Sequence, residues 1–161
     1  MDIKSQGFQY RRATLNDVSF MTEFRLRMLG EVYGRLEDDT ADELRKTCHD
    51  YFSRSVFQGD YRAWIAEDDG RPVGTGGMVL WKKPPTVGCT SGRLGYILNL
   101  YTIPELRGRG ICTRLLHELI EEAKSLGLSY IHLHASEDGM NIYRRAGFGN
   151  PHGVELELKI A

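Results

Sequence analysis

The sequence predicts an α/β fold in which helices cover both faces of a mixed sheet, an α/β/α sandwich. Segments with strand and helix patterns follow one another in the order β-α-α-β-β-β-α-β-α-β. The turn Asp68-Asp69-Gly70 joins two strand-like segments and indicates an antiparallel hairpin. A glycine-rich loop at 107–112 (RGRGIC) joins an apolar strand directly to an amphipathic helix. The chain has 161 residues and is expected to form one domain, 1–161.

The first half of the chain holds two helices and a hairpin. Asparagine, aspartate or threonine precedes each helix and can cap it. Three glycines lie inside the return strand of the hairpin, where glycine indicates a bulge or a closely packed neighbour. The predicted elements are a strand over 8–14, a helix ending near Leu29, a loop or helix break over 30–36, a helix from Ala41 to about Phe57, strands over 62–67 and 72–80, and a loop over 82–92.

The second half is organised around the glycine-rich loop. The apolar run at 96–103 (YILNLYTI) predicts a buried central strand, which begins near Arg93 and ends at Pro104. After the glycines, apolar residues recur at helical spacing until Gly127. The remaining elements are a strand over 128–135, a short helix over 139–146, and a half-exposed antiparallel strand over the alternating tail, 154–160.

Composition excludes several classes of protein. The net charge of −1 gives no global attraction to nucleic acid or to an anionic membrane. No apolar run approaches the ~20 residues of a membrane span, and the N-terminus lacks a secretory signal. Cys48, Cys89 and Cys112 are far apart and form no CxxC pair, so neither a disulfide framework nor a metal site is expected. We therefore expect a cytoplasmic protein.

The glycine-rich loop has the chemistry of an anion site. The first amides of a helix lack intrahelical partners, and glycines let a ligand's oxygens approach the backbone. The loop lacks the Gly-Lys-Ser/Thr ending of a Walker A loop and the third glycine of a dinucleotide fingerprint. The residues alone therefore predict a phosphate-bearing ligand, and an ordinary strand-to-helix turn is the alternative.

Two motifs around this loop resemble those of the GNAT superfamily, the acyl-CoA-dependent N-acyltransferases. The family's loop pattern is Arg/Gln-x-x-Gly-x-Gly/Ala, and its fixed positions hold Arg107, Gly110 and Cys112, of which Cys112 departs from the pattern. The family's Tyr-x-x-x-Gly-Phe ending is matched at 143–148, and the NLYT at 99–102 is typical of the strand before the loop. The resemblance implies the GNAT fold, with splayed central strands.

The resemblance also implies an activity, the transfer of an acetyl group from acetyl-CoA to an amine by direct attack. It implies that the amide of Leu100 donates to the thioester carbonyl and that Tyr143 protonates the departing thiolate. Packing of Tyr143 under the sheet is the alternative. The implied acetyl-CoA contacts are Asn99, Leu100, Tyr101, Thr102, Arg107, Gly108, Arg109, Gly110, Ile111, Cys112, Thr113, Ser136, Asn141 and Tyr143.

The general base and the acceptor are left open. Tyr96 occupies the strand position where some relatives carry a glutamate, so this sequence departs from them there. His134 ends the following strand and is a candidate base, acting directly or through water. Glu31 and Glu37 are further candidates, and Tyr33 lies in the same substrate-side segment.

Acidic residues dominate 31–43, which favours a cationic acceptor such as a polyamine, an aminoglycoside or a lysine side chain. Helix capping and a solvated surface are the alternative explanation.

Two other functions compete with catalysis. One is a GNAT-fold module that binds acyl-CoA as a sensor without turning it over. The other is a nucleotide-binding protein that uses the same loop for ATP or NAD. Many relatives pair through their last strands, so the alternating tail also makes a homodimer possible.

Overall fold

The computed structural model describes residues 7–161, which form five strands and four helices. Residues 1–6, part of the N-terminus in which no signal is expected, lie outside the described residues. The elements, in chain order, are β1 (Gln9–Arg12), α1 (Val18–Tyr33), α2 (Asp38–Gln58), β2 (Tyr61–Asp68), β3 (Arg71–Lys82), β4 (Arg93–Thr102), α3 (Ile111–Ser125), β5 (Tyr130–His132) and α4 (Met140–Arg145). Short 3₁₀ turns precede α1 and follow β4.

The strands form one mixed sheet in the order β1-β2-β3-β4-β5. The first four are antiparallel neighbours, and β4 and β5 are parallel. The pairing of β5 with β4 ends at Tyr96↔His132, although β4 continues to Thr102. Among residues 7–161, the last part of β4 therefore has no partner strand on the β5 side, which confirms the predicted splay.

A bulge interrupts β4 where the splay begins. On β3, Thr75 pairs with Tyr101 and Gly77 with Leu98, so two residues of β4 lie opposite one residue of β3. One of the two, Asn99, has a φ of 57°, a left-handed conformation that asparagine tolerates better than most residues. The sequence predicted a bulge or a closely packed neighbour at the β3 glycines. The extra residue of the bulge belongs to β4, and Gly77 of β3 has the close neighbour, Tyr61.

The bulge resets which face of the sheet each side chain occupies. Leu98 packs on the face of the sheet that α1 and α2 cover, and the side chain of Asn99 forms hydrogen bonds on the same face. Leu100 packs with the clusters under α3. In a regular strand Leu98 and Asn99 would point to opposite faces.

Each face of the sheet carries its own hydrophobic cluster. Residues of α1 and α2 pack on one face with β2, in a cluster of Val18, Met21, Phe52, Tyr61, Ala63 and Ile65. Residues of α3 pack on the other, in a cluster of Met78, Ile97, Leu116, Leu119 and Ala123. Gly77 lies against Tyr61 so closely that a β-carbon there would overlap the tyrosine hydroxyl. The predicted α/β/α layering is confirmed.

Several predicted boundaries differ from the structure, among them the end of α1 and both ends of β5. The helix α1 continues through Gly30 to Tyr33 and ends at Gly34, so the loop predicted over 30–36 begins later. A single glycine costs a helix only about 1 kcal/mol, which tertiary contacts can offset. The strand predicted over 128–135 is shorter, Tyr130–His132, because β4 and β5 diverge after it.

The strand predicted over the tail, 154–160, was wrong. The structure assigns no strand there, and Val154, Leu156, Leu158 and Ile160 are 80% to 88% exposed. Alternation of apolar and charged residues favours a strand only where a neighbour pairs its backbone groups. Within residues 7–161, β5 pairs only with β4, so the tail is not part of the sheet.

Candidate functional site

The glycine-rich loop presents a run of free amides. Gly108 and Gly110 have φ angles of 78° and 80°, which glycine adopts without strain. The amide of Arg114 donates to Gly110 O at 3.0 Å and begins the hydrogen bonding of α3. In the described chain, the amides of 108–113 donate to no backbone carbonyl or side chain. A β-carbon on either glycine would meet no atom within 4 Å, so the approach to these amides is open.

The side chain of Arg107 braces this loop against α1. Its Nε donates to Thr102 O at 3.0 Å, and its terminal nitrogen donates to both Glu31 oxygens at 2.8 Å. The same Glu31 accepts from the Tyr101 hydroxyl at 3.1 Å, and the guanidinium lies 5.4 Å from the centre of the Tyr101 ring. Glu31, predicted as a base or substrate contact, thus lies in an ion pair with the loop.

The remaining loop residues have separate surroundings. Ile111 is buried in a second cluster under α3, with Ala66, Val73 and Leu115, whereas Arg109 and Thr113 are exposed. The thiol of Cys112 lies 3.1 Å from the hydroxyl of Thr102, and burial raises the pKa of that thiol. Cys112 therefore joins the helix to the end of β4 as a neutral, half-buried group.

The hydroxyl of Tyr143 lies at the same side of the sheet as Cys112. Tyr143 is half-buried in the cluster under α3, and its ring makes an edge contact with Phe148, with centroids 6.0 Å apart. Burial raises the pKa of Tyr143 above its ordinary value of 10.0, and the thiol of Cys112 adds to the rise. The phenol is therefore neutral at physiological pH and can donate a proton. The ring packs under the sheet, and the role of Tyr143 as the acid stays a prediction.

Two other predicted contacts lie near the start of α4. The Oγ of Ser136 accepts from the amide of Gly139 at 3.2 Å and closes the turn before the helix. Asn141 is exposed on α4. Gly139 lies close to the Tyr143 ring, so this turn positions the tyrosine.

Tyr96 on β4 and the base candidate His134, which follows β5, lie together. The hydroxyl of Tyr96 forms a short hydrogen bond with Nδ1 of His134, and the Tyr96 ring stacks on Trp81 at 4.9 Å. His134 Nε2 lies 3.6 Å from a carboxylate oxygen of Glu155. Burial raises the pKa of Tyr96, so it too is a neutral phenol at pH 7. The sequence predicted the two residues separately and did not predict their contact.

The acidic residues over 31–43 are dispersed and do not converge on one site. Asp38 and Asp39 occupy the first turn of α2, where negative charge stabilises the helix. Asp42 pairs with Arg45 at 2.9 Å, and Glu31 pairs with Arg107. Glu37 precedes α2 without a side-chain capping bond, and Tyr33 is 76% exposed at the end of α1. This arrangement favours the capping explanation over an acceptor site.

The sequence did not predict that the side chain of Asn99 anchors the bulge of β4. Asn99 Oδ1 accepts from Arg25 at 2.8 Å, and Asn99 Nδ2 donates to the buried hydroxyl of Tyr61 at 2.9 Å. The side chain of Asn99 therefore faces α1, and only its backbone can take the predicted part in acetyl-CoA binding. A buried asparagine in an apolar run was the available signal, because it requires partners from other elements.

The free amides, the splayed strands and the half-buried tyrosine agree with the family to which the motifs point. The model of the acetyltransferase (GNAT) family matches residues 23–148. This chain belongs to that family.

Solved structures and curated proteins with the same fold or sequence pattern support the assignment. A crystal structure of a predicted acetyltransferase with acetyl-CoA, from Clostridium acetobutylicum, is 33% identical, has a TM-score of 0.84, and is matched over 96% of this chain and 97% of that one. A GCN5-related N-acetyltransferase from Ralstonia eutropha is 27% identical, with a TM-score of 0.82 and 94% and 99% of the two chains covered. The uncharacterized N-acetyltransferase YjgM of Escherichia coli is 25% identical over 91% of this chain and 85% of its own length.

No helix within 7–161 is long and apolar enough to cross a membrane. No group of three or more His, Cys, Asp or Glu side chains in the same part of the chain could hold a metal ion.

Proposed function

We propose that this protein is a cytoplasmic N-acetyltransferase that transfers the acetyl group of acetyl-CoA to a primary amine. The observation that carries the proposal is the run of free amides over 108–113 beside the unpaired edge of β4. The amides suit the pyrophosphate, since they form a helix N-terminus with positive partial charge. The strand edge suits the pantetheine arm, whose amides can pair with it as an added strand does.

The bulge supplies the group that would stabilise the transition state. Leu100 follows Asn99 in the bulge, on the part of β4 that β5 does not cover. Its amide would donate to the thioester carbonyl as that oxygen gains negative charge. One preorganised donor of this kind commonly contributes about 3 kcal/mol to catalysis. Asn99 donates to Tyr61 and accepts from Arg25, and these hydrogen bonds fix the bulge, so they hold the Leu100 amide in place.

Proton transfer would use groups on both sides of β4. An alkyl amine has a pKa near ~10, so it must lose a proton before it attacks the thioester. His134, directly or through water and Tyr96, is the base that the geometry favours. Tyr143 would then protonate the departing thiolate, because burial keeps its phenol neutral.

The test is acetyl transfer measured as thiol release from acetyl-CoA across a panel of amines. We expect turnover with at least one amine, and a several-fold lower kcat for Tyr143→Phe at unchanged acetyl-CoA affinity. Tyr130→Phe is the matched control, because Tyr130 is an exposed tyrosine on β5. Tight acetyl-CoA binding without turnover of any amine would instead favour the sensing module.

A further inference from the structure

A cavity of about 260 Å³ lies between the first two helices and the bulge of β4. Arg25 comes from α1, and Asn99 is the bulge residue itself. The lining residues are Arg25, Thr47, Cys48, Tyr51, Phe52, Leu98 and Asn99. The cavity is therefore next to the backbone of Leu100, where the proposed function places the thioester carbonyl, and on the opposite face of the sheet from Tyr143.

The charge in this cavity is positive. Arg25 is the cation in the lining, and no carboxylate lines the cavity. One terminal nitrogen of Arg25 donates to Asn99 at 2.8 Å, and no ion pair with Arg25 occurs in the part of the chain that the structure describes. Two acids of α1 have other partners, since Glu23 pairs with Arg45 and Glu31 with Arg107. A guanidinium has five N–H donors, so Arg25 retains donors for an anionic group.

The size and the walls of the cavity limit the occupant. Its volume is below the ~300–1,000 Å³ of ordinary ligand pockets, so a compact molecule fits. The walls from Cys48, Tyr51, Phe52 and Leu98 are largely apolar and suit a short hydrocarbon or aromatic body. An arginine with a free face binds a planar carboxylate with two parallel hydrogen bonds.

We propose that this cavity holds the acceptor and that Arg25 pairs with a carboxylate on it, so that the acceptor is a small amino acid with an apolar side chain. This inference rests on the proposed function. Pairing with Arg25 would anchor the acceptor beside the bulge, with its amine a few bonds from the carboxylate and close to Leu100. The acidic residues over 31–43, which favoured a cationic acceptor from sequence, lie outside the cavity lining.

The first experiment compares matched acceptors on the unmodified protein. Leucine and phenylalanine are each assayed beside their amides and their decarboxylated amines by thiol release. We expect kcat/KM at least tenfold higher for an acid than for its amide and its amine. Equal rates for acid and amide would overturn the inference and leave the proposed function standing. A preference for phosphoethanolamine over both amino acids would overturn the assignment of a carboxylate.

The second experiment changes the cation. Arg25→Gln is expected to reduce the acid-over-amide preference to within about twofold, and Arg25→Lys to restore part of it. Arg27→Gln, which removes a charge from the exposed side of the same helix, is expected to keep the full preference. A full preference in Arg25→Gln would contradict the inference.

A readout independent of turnover uses the thiol in the cavity. Alkylation of Cys48 by iodoacetamide is followed by mass spectrometry, at pH 9 because burial raises the pKa of this thiol. Leucine is expected to slow alkylation several-fold in the unmodified protein but not in Arg25→Gln, whereas leucinamide has no effect. Protection by leucine without transfer to any amine would support the cavity assignment and refute the proposed function. No protection by any acid that is turned over would refute the cavity assignment alone.

Discussion

Replacing Asn99 should reveal how much the bulge of β4 depends on one side chain. Its Nδ2 donates to the hydroxyl of Tyr61, which is 3% exposed, so Asn99→Ala leaves a buried hydroxyl without its donor. Such a loss costs about 1–3 kcal/mol. Alanine at a φ of 57° adds about 1–2 kcal/mol of backbone strain. We expect Asn99→Ala to lower the free energy of unfolding by about 2–5 kcal/mol in all, a large share of the ~5–15 kcal/mol of a typical domain.

The two contributions can be separated by a second substitution. Glycine adopts the left-handed conformation without strain, so Asn99→Gly should lose the hydrogen bond but add no backbone strain. Its backbone loses more entropy on folding, which costs ~0.5–1 kcal/mol, less than the strain of alanine. Replacing both partners of a buried hydrogen bond is much less costly than replacing one. The double variant Asn99→Ala/Tyr61→Phe should therefore be more stable than the sum of its single changes predicts, by about 1 kcal/mol or more.

The assay is urea unfolding followed by tryptophan fluorescence, with Trp64 and Trp81 as probes. Free energies are compared at equal m-values, so that changes in the denatured state are excluded. A loss below 0.5 kcal/mol for Asn99→Ala, or additive changes in the double variant, would refute this account of the bulge.

Three further predictions concern the loop, the acid and the tail. Glu31→Gln removes a half-exposed ion pair, so it should change the free energy of unfolding by less than about 1 kcal/mol. It should raise the Kd for acetyl-CoA up to about fivefold, because Arg107 no longer holds the loop against α1. Tighter binding in calorimetry would show instead that Glu31 competes with phosphate for Arg107. A general acid works in its protonated form, so its contribution is lost as the pH rises through its pKa. Burial raises the pKa of Tyr143, so kcat should show no decrease at any pH up to about 10. A decrease of kcat between pH 8 and 9.5 that Tyr143→Phe abolishes would contradict this role. The tail exposes four apolar side chains, and β5 is an edge strand of the sheet, so we expect a homodimer in light scattering that deletion of 154–161 converts to a monomer. A full-length monomer at 100 µM would contradict this prediction.

The sequence predicted the fold well because its strongest signals are local. The helix after Gly110 has a clear apolar stripe, and the Asp69-Gly70 turn sets the register of β2 and β3. Such patterns depend on neighbouring residues and survive in the folded chain. The tail fails for the same reason, because its alternation is a local pattern, whereas a strand needs a partner elsewhere.

The site was only partly predictable. Backbone features, such as the free amides after Gly108, follow from residue type and spacing. The contacts of Arg107 with Glu31 and of Tyr96 with His134 join residues far apart in sequence, and nothing local indicates them. The position of Arg25 in a cavity likewise depends on how α1 packs on β4.

Calorimetry with acetyl-CoA tests the central claim most directly. The unmodified protein is titrated with acetyl-CoA, ATP and NAD, and Gly110→Glu is titrated in parallel after its thermal unfolding has been shown to match. We predict tight binding of acetyl-CoA, weak or no binding of ATP and NAD, and loss of acetyl-CoA binding in Gly110→Glu, whose carboxylate would repel the phosphates. Absence of acetyl-CoA binding, or equal binding by Gly110→Glu, would contradict the assignment of the loop and the acetyltransferase activity proposed from it.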